Sequence, residues 1–146
     1  MSGVLETNNF GKLKNLNWLD LSNNMLSLTT SGHSNSILPN IDNLDLSNNK
    51  IGGVWSWNME KNTLRYLNLS YNSISGFEML PWENLYTLDL YSNFLQRPLP
   101  TPPNFIFFFL VSHNKLSGKI SSLICKASSM RILDLITTWV TFFLIV

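Results

Sequence analysis

Five segments of this chain follow one frame, L-x-x-L-x-L-x-x-N-x-L, and that recurrence limits the possible folds more than any other feature. Aligned on Asn24, Asn49, Asn72, Asn93 and Asn114, the copies fill every apolar slot with Leu, Ile, Val or Phe. The first copy supplies Leu16, Leu19, Leu21 and Leu26, and the fifth Ile106, Phe109, Val111 and Leu116. The asparagines lie 25, 23, 21 and 21 residues apart. A sixth copy starts with Met130, Leu133 and Leu135, but Thr138 stands in its asparagine slot. Within L-x-L, inward residues alternate with outward ones, which is the period of a strand buried on one face. No copy can bury its leucines alone. Stacked copies share one continuous core, so stability becomes roughly a sum over neighbours.

The asparagine falls where the chain turns off each strand. Its side-chain amide can accept from one backbone group and donate to others that the turn leaves without partners. In register, Asn24, Asn49, Asn72, Asn93 and Asn114 are expected to form an internal ladder. The composition agrees with a chain whose polarity is uncharged: 25 Leu, 19 Asn and 18 Ser stand beside only 13% charged residues in 146. A net charge of +1 gives no electrostatic basis for binding nucleic acid or an anionic membrane. A single cysteine, Cys125, excludes an internal disulfide framework, a CxxC pair and a Cys-based zinc site.

The segments Leu19-Asp-Leu-Ser-Asn-Asn24, Leu44-Asp-Leu-Ser-Asn-Asn49 and Leu67-Asn-Leu-Ser-Tyr-Asn72 resemble the extracellular leucine-rich repeats of plant receptor-like proteins and receptor kinases. Ile74-Ser-Gly76 and Leu116-Ser-Gly-Lys-Ile120 resemble the L-x-G-x-I-P stretch of the plant subtype. Gly53, Gly76 and Gly118 each lie four residues past their asparagine, where a tight bend with positive φ suits glycine. Leu28 and Arg97 replace that glycine in two copies, and Ser121 replaces the expected proline, which puts a second, convex-side strand in doubt there. The segment 123–135 is most similar to membrane-proximal repeats of the Cf disease-resistance type. The implied fold is an α/β-type repeat solenoid, mostly strand and loop. It is a right-handed leucine-rich-repeat superhelix with a parallel sheet of five or six strands on its concave face and short β or 3₁₀ segments behind.

Three divisions are expected: a partial preceding repeat over 1–12, the repeat domain over 13–135 and a divergent hydrophobic tail over 136–146. The uncharged stretch 135–146 is shorter than the roughly 20 residues that span a bilayer, and the first ten residues lack the pattern of a secretory signal. The chain reads as an internal slice of a longer solenoid, with no membrane span of its own.

By resemblance, the outward strand positions form the ligand-binding concave face. Its candidate contacts are Trp18, Arg65, Tyr66, Tyr71, Tyr86, Tyr91, Phe107 and Phe108, with the tyrosines and phenylalanines in adjacent rows. Ser70 and Ser112 are also placed on that exposed side. The column Asp20, Asp45, Asp89 and Asp134 is read as structural, since Asn68 interrupts it and no histidine joins it in a metal-ligand set. His33 and His113 read as solvated, and no nucleophile motif accompanies them, so neither catalysis nor a cofactor has a foothold. Asn68-Leu69-Ser70 is a glycosylation sequon in a secreted chain. Pro98-Leu-Pro-Thr-Pro-Pro103 reads as an extended linker between repeats. The resemblance also implies that Cys125 would pair with a cysteine of a following repeat.

These features imply a recognition module on the extracellular side of the plasma membrane. Its ligand would be a peptide, a glycan or a protein, with a co-receptor kinase as a further partner, in defence or developmental signalling. Two other readings use the same residues: a truncated product without independent activity, and a secreted leucine-rich-repeat inhibitor of a cell-wall hydrolase.

Overall fold

The computed structural model describes residues 2–4, 13–27, 41–55, 63–77, 83–96, 98–118 and 120–136. Short strands dominate: β1 Ser2–Val4, β2 Trp18–Asp20, β3 Met25–Ser27, β4 Asn43–Asp45, β5 Gly52–Trp55, β6 Tyr66–Asn68, β7 Ser73–Phe77, β8 Thr87–Asp89, β9 Phe108–Leu110 and β10 Ile132–Asp134. One 3₁₀ helix, Ser122–Lys126, follows the fifth copy, and Ser121 caps it by accepting from the Leu123 N–H at 3.2 Å. The serine that replaces proline thus opens a helical turn.

Six strands, one from each copy, form a parallel sheet in the order β2-β4-β6-β8-β9-β10. Its register has no stagger: Leu19, Leu44, Leu67, Leu88, Phe109 and Leu133 are successive partners. Leu44, Leu67, Leu88 and Phe109 are 0% exposed, as are Leu46, Leu69, Leu90 and Val111 two residues on. Inward and outward sides therefore follow the period-two pattern of the sequence, and the core is one cluster running through the copies. Burial falls off where a coil has only one described neighbour. Leu19 and Leu21 are partly buried, and Leu133 is 38% exposed.

Behind the long sheet, β1 pairs with β3 and β5 with β7. The first copy keeps a second strand despite Leu28, a residue that lies outside those described. The fifth copy has the glycine and forms no second strand among the described residues. Gly53 and Gly118 take positive φ, 81° and 99°. Gly76 departs from the expectation: it continues as part of β7 without a positive φ. At Gly118 an added Cβ would lie 3.5 Å from the Pro98 ring, so the proline-rich linker packs against the next coil at a position already strained for other residues.

The asparagine ladder ties the coils together. Asn72 donates through Nδ2 to the Leu46 carbonyl of the preceding coil at 2.9 Å, and to Leu69 and Ser70 of its own coil at 3.1 Å each. Its Oδ1 accepts from the Ile51 N–H of the preceding coil at 3.0 Å. Asn49, Asn93 and Asn114 repeat the scheme, with Oδ1 accepting from Leu26, Ile74 and Leu95. Asn24 donates to the Leu21 and Ser22 carbonyls. The residue before each asparagine lies in the left-handed region: Asn23, Asn48, Tyr71, Ser92 and His113, with φ between 52° and 56°. That conformation is disfavoured for a side chain as bulky as tyrosine. It is held because each of these N–H groups donates to the next coil, as Tyr71 does to the Tyr91 carbonyl at 2.9 Å.

A second ladder explains the aspartates. Oδ1 of Asp20, Asp45 and Asp89 accepts from the N–H two residues on, in each case at 2.9 Å, and Asn68 does the same for Ser70 at 3.0 Å. This Asx turn pairs the second N–H past the strand, the first being taken by the carbonyl of the next coil. The fifth copy has Leu110 there, and the Ser112 hydroxyl donates instead to Asp134 while accepting from the Ile136 N–H.

Ser70 and Ser112 correct the sequence reading. They are buried, 6% and 1% exposed, because two positions past the strand the chain has already begun to turn inward. Ser70 donates its hydroxyl to Asn68 Oδ1 at 2.7 Å.

Asn72→Ala removes the partners of a buried N–H and three carbonyls, and should cost roughly 1–3 kcal/mol in urea unfolding. Ser70→Ala loses one hydrogen bond and should cost about 0.5–1.5 kcal/mol, whereas the exposed Lys50→Ala should stay within about 0.5 kcal/mol. Equal effects at the three positions would contradict the ladder.

Candidate functional site

Because the register has no stagger, outward residues form columns that cross the strands, one residue per coil. The first column, at the entrance to the strands, is Asn17, Asp42, Arg65, Tyr86, Phe107 and Arg131. Its backbone is fixed by paired hydrogen bonds: the Arg65 carbonyl accepts from the N–H groups of Tyr86 and Thr87, and the Tyr86 carbonyl from those of Phe107 and Phe108. The side chains stack in sequence. The Arg65 guanidinium lies 5.9 Å from the Tyr86 ring centre, Tyr86 lies 5.4 Å from Phe107, and the Arg131 guanidinium lies 5.3 Å from Phe107. Cation–π contacts at exposed sites contribute about 0.5–1 kcal/mol each.

The second column is Trp18, Asn43, Tyr66, Thr87, Phe108 and Ile132. It does not bring the candidate aromatics together. Asn43 separates Trp18 from Tyr66, and Thr87 separates Tyr66 from Phe108. Trp18 is 66% exposed on the outermost strand. Tyr66 is half-buried, and burial followed by the charge of Asp45 raises its phenol above the usual tyrosine value.

The third column holds Asp20, Asp45, Asn68, Asp89, Leu110 and Asp134. Position in the stack decides the acidity of otherwise equivalent aspartates. Asp20 is exposed, and hydrogen bonds from the Ser22 backbone and side chain lower it. Asp89 is raised, by burial first and then by the charges of Asp45 and Asp134, against the lowering effect of the Tyr91 N–H. Asn68, the sequon residue, is half-buried and uses both ends of its amide: Nδ2 donates to Asp45 Oδ2 at 3.1 Å, and Oδ1 accepts from Ser70.

Where the strands end, Tyr71 contacts Tyr91 at 5.3 Å between ring centres, and Tyr91 contacts His113 at 4.7 Å. Beside them a shallow cleft of about 320 Å³ is lined by Asn72, Ser92, Asn93, Phe94, His113, Asn114 and Lys115. The Lys115 ammonium sits 4.8 Å from the Phe94 ring centre. The eight candidate contacts thus resolve into two stacked clusters, Arg65-Tyr86-Phe107 and Tyr71-Tyr91, with Trp18, Tyr66 and Phe108 apart from both. Sequence reasoning missed Arg131 and the stacking of His113. The phase of the sixth copy places Arg131 one residue after Met130, in the same column as Arg65, and that was the available signal. His33 lies outside the described residues; Cys125 is exposed and free.

Asp89→Asn keeps the acceptor for the Tyr91 N–H, as Asn68 does in its own coil, and removes the disfavoured charge. A carboxyl raised in the folded state binds more protons than in the unfolded one, so its contribution to stability falls as pH rises toward the folded value. Asp89→Asn should therefore be the more stable protein in urea at pH 7, with the advantage vanishing below the ordinary carboxylate range. A constant difference across pH would contradict this assignment.

The Leucine Rich Repeat family model matches residues 15–41 and 63–85. Receptor-like protein 7 of Arabidopsis thaliana is 45% identical over 103 residues, covering 66% of this chain and 10% of its own length. Receptor like protein 28 of the same plant is 32% identical over 161 aligned positions, covering 89% of this chain and 20% of its own length. Tsukushi of Gallus gallus is 50% identical over 68 residues, or 47% of the chain, so the repeat frame extends beyond plants. The chain spans a tenth to a fifth of the length of the two plant relatives. Among the described residues no helix is long and apolar enough to cross a membrane. Register, asparagine ladder and sequence similarity agree, and the chain belongs to the leucine-rich-repeat receptor-like proteins of plants.

Proposed function

We propose that this solenoid is a ligand-recognition segment of a plant cell-surface receptor-like protein, acting by binding and not by catalysis. The observation that carries the reading is the pair of stacked clusters, Arg65-Tyr86-Phe107 and Tyr71-Tyr91-His113, at the two margins of the outward sheet face. Rigid aromatics held by their neighbours lose little conformational freedom on binding, which favours them as anchors. Tyr66, Phe108 and Trp18 extend the face between and beyond those clusters. The ligand is a peptide, a glycan or a protein, and a co-receptor kinase transmits the signal in defence or development. The location is the outer side of the plasma membrane.

Asn68 is the candidate glycan acceptor, and its place in the third column has a consequence. A glycan there would stand over the face that binds ligand, so the two uses exclude one another in any one molecule. Mass spectrometry of the chain from a secretory host, with and without removal of N-glycans, reads which form is made.

Panning a random-peptide phage library against the solenoid supplies a ligand for testing the face. Tyr91→Ala should weaken the selected peptide at least about tenfold, while Met25→Ala, on the opposite sheet, should leave Kd unchanged. Equal Kd values for both variants and the parent would contradict the assignment.

A further inference from the structure

The first column continues beyond the Arg65-Tyr86-Phe107 cluster to a second arginine, Arg131. Arg65 and Arg131 bracket two rings, giving the order Arg65-Tyr86-Phe107-Arg131 over four adjacent strands. A guanidinium stacked on a ring keeps its N–H edge available, and that edge matches a carboxylate in a two-point hydrogen bond. Among the described residues neither arginine is paired with a carboxylate, although Asp42 is next to Arg65 in the column. Both arginines are exposed. The stack therefore holds two oriented, unneutralised cations at one margin of the sheet.

We infer that this margin docks an acidic peptide segment in extended conformation, crossing the strands, with carboxylates four residues apart seated on Arg65 and Arg131. The inference rests on the recognition reading and specifies its ligand. Three inter-strand spacings separate the arginines, about 14 Å. An extended peptide advances roughly 3.3 Å per residue, so four residues cover the same span, and an even number puts both carboxylates on one side. Ring contacts select peptide over an acidic polysaccharide. Tyr86 and Phe107 touch at an interplanar angle of 57°, each with an arginine beside it, so the two rings form no common flat platform on which a sugar chain could stack. The third column fixes the path as well. Its aspartates lie three residues further along the strands, roughly 10 Å away, and repel an acidic chain from the middle of the sheet.

The test measures binding of synthetic peptides of about nine residues by fluorescence polarisation. A peptide with aspartates at i and i+4 should bind, and its i, i+3 and asparagine-substituted counterparts should bind at least about tenfold more weakly. Arg65→Gln and Arg131→Gln should each weaken the first peptide about tenfold, and together about a hundredfold, since distant sites act additively. Arg65→Lys should fall between, because it keeps charge and loses the fork. Equal binding of the three peptides, or no effect of the double variant, overturns the inference. So does polygalacturonate binding that is lost in the double variant. A phage-selected peptide that depends on Tyr91 and ignores both arginines leaves the recognition reading standing and removes this one; a peptide indifferent to all three residues removes both.

Discussion

The structure depends on a buried asparagine side chain that joins one coil to the next. Asn72, Asn93 and Asn114, of the third to fifth copies, are buried, each with four backbone partners drawn from two coils. Parallel strands need a long return path, and each return leaves backbone groups pointing into the core at the turn. An unpaired buried amide costs about 1–3 kcal/mol, so one well-placed side chain per coil decides whether the turn is tolerated. The same ladder sets the backbone before it. Tyr71, Ser92 and His113 hold a left-handed conformation in which their own N–H groups and the following asparagine amides are all paired.

This constraint also builds the candidate face. Coils held without stagger put residues of the same frame position in straight columns, and columns allow Arg65, Tyr86, Phe107 and Arg131 to stack although they lie 21 to 24 residues apart in sequence. Aspartates do the quieter work of closing the exit from each strand. Their carboxylates are consequently aligned, and the charge is tolerated less at the partly buried Asp89 than at the exposed Asp20.

Much of this was legible in the sequence. The frame pointed to a parallel sheet of five or six strands, of which six form, to its inward residues and to the asparagine ladder, because strand alternation and turn chemistry are local properties repeated in phase. What was not legible depends on contacts between coils. Ser70 and Ser112 carry outward frame positions, yet the turn carries them into the core. Gly76 and Gly118 share one frame position and differ in φ: Gly76 lies within β7, opposite Val54 just past a register shift, while Gly118 lies outside any strand with Pro98 beside it. Among the candidate contacts, neighbours within a column could be foreseen, but not which rings meet. Thr87 keeps Tyr66 and Phe108 apart by one strand, while Tyr71 reaches Tyr91 from a different frame position.

Amide hydrogen exchange tests the central claim most directly, because the N–H groups of Ile51, Ile74 and Leu95 donate to asparagine side chains and not to backbone. If the ladder joins the coils, these three exchange as slowly as the Leu69 and Leu90 N–H groups of the long sheet, through the same cooperative opening. Exchange at the rate of solvated turn amides, with Leu69 and Leu90 still protected, would contradict it.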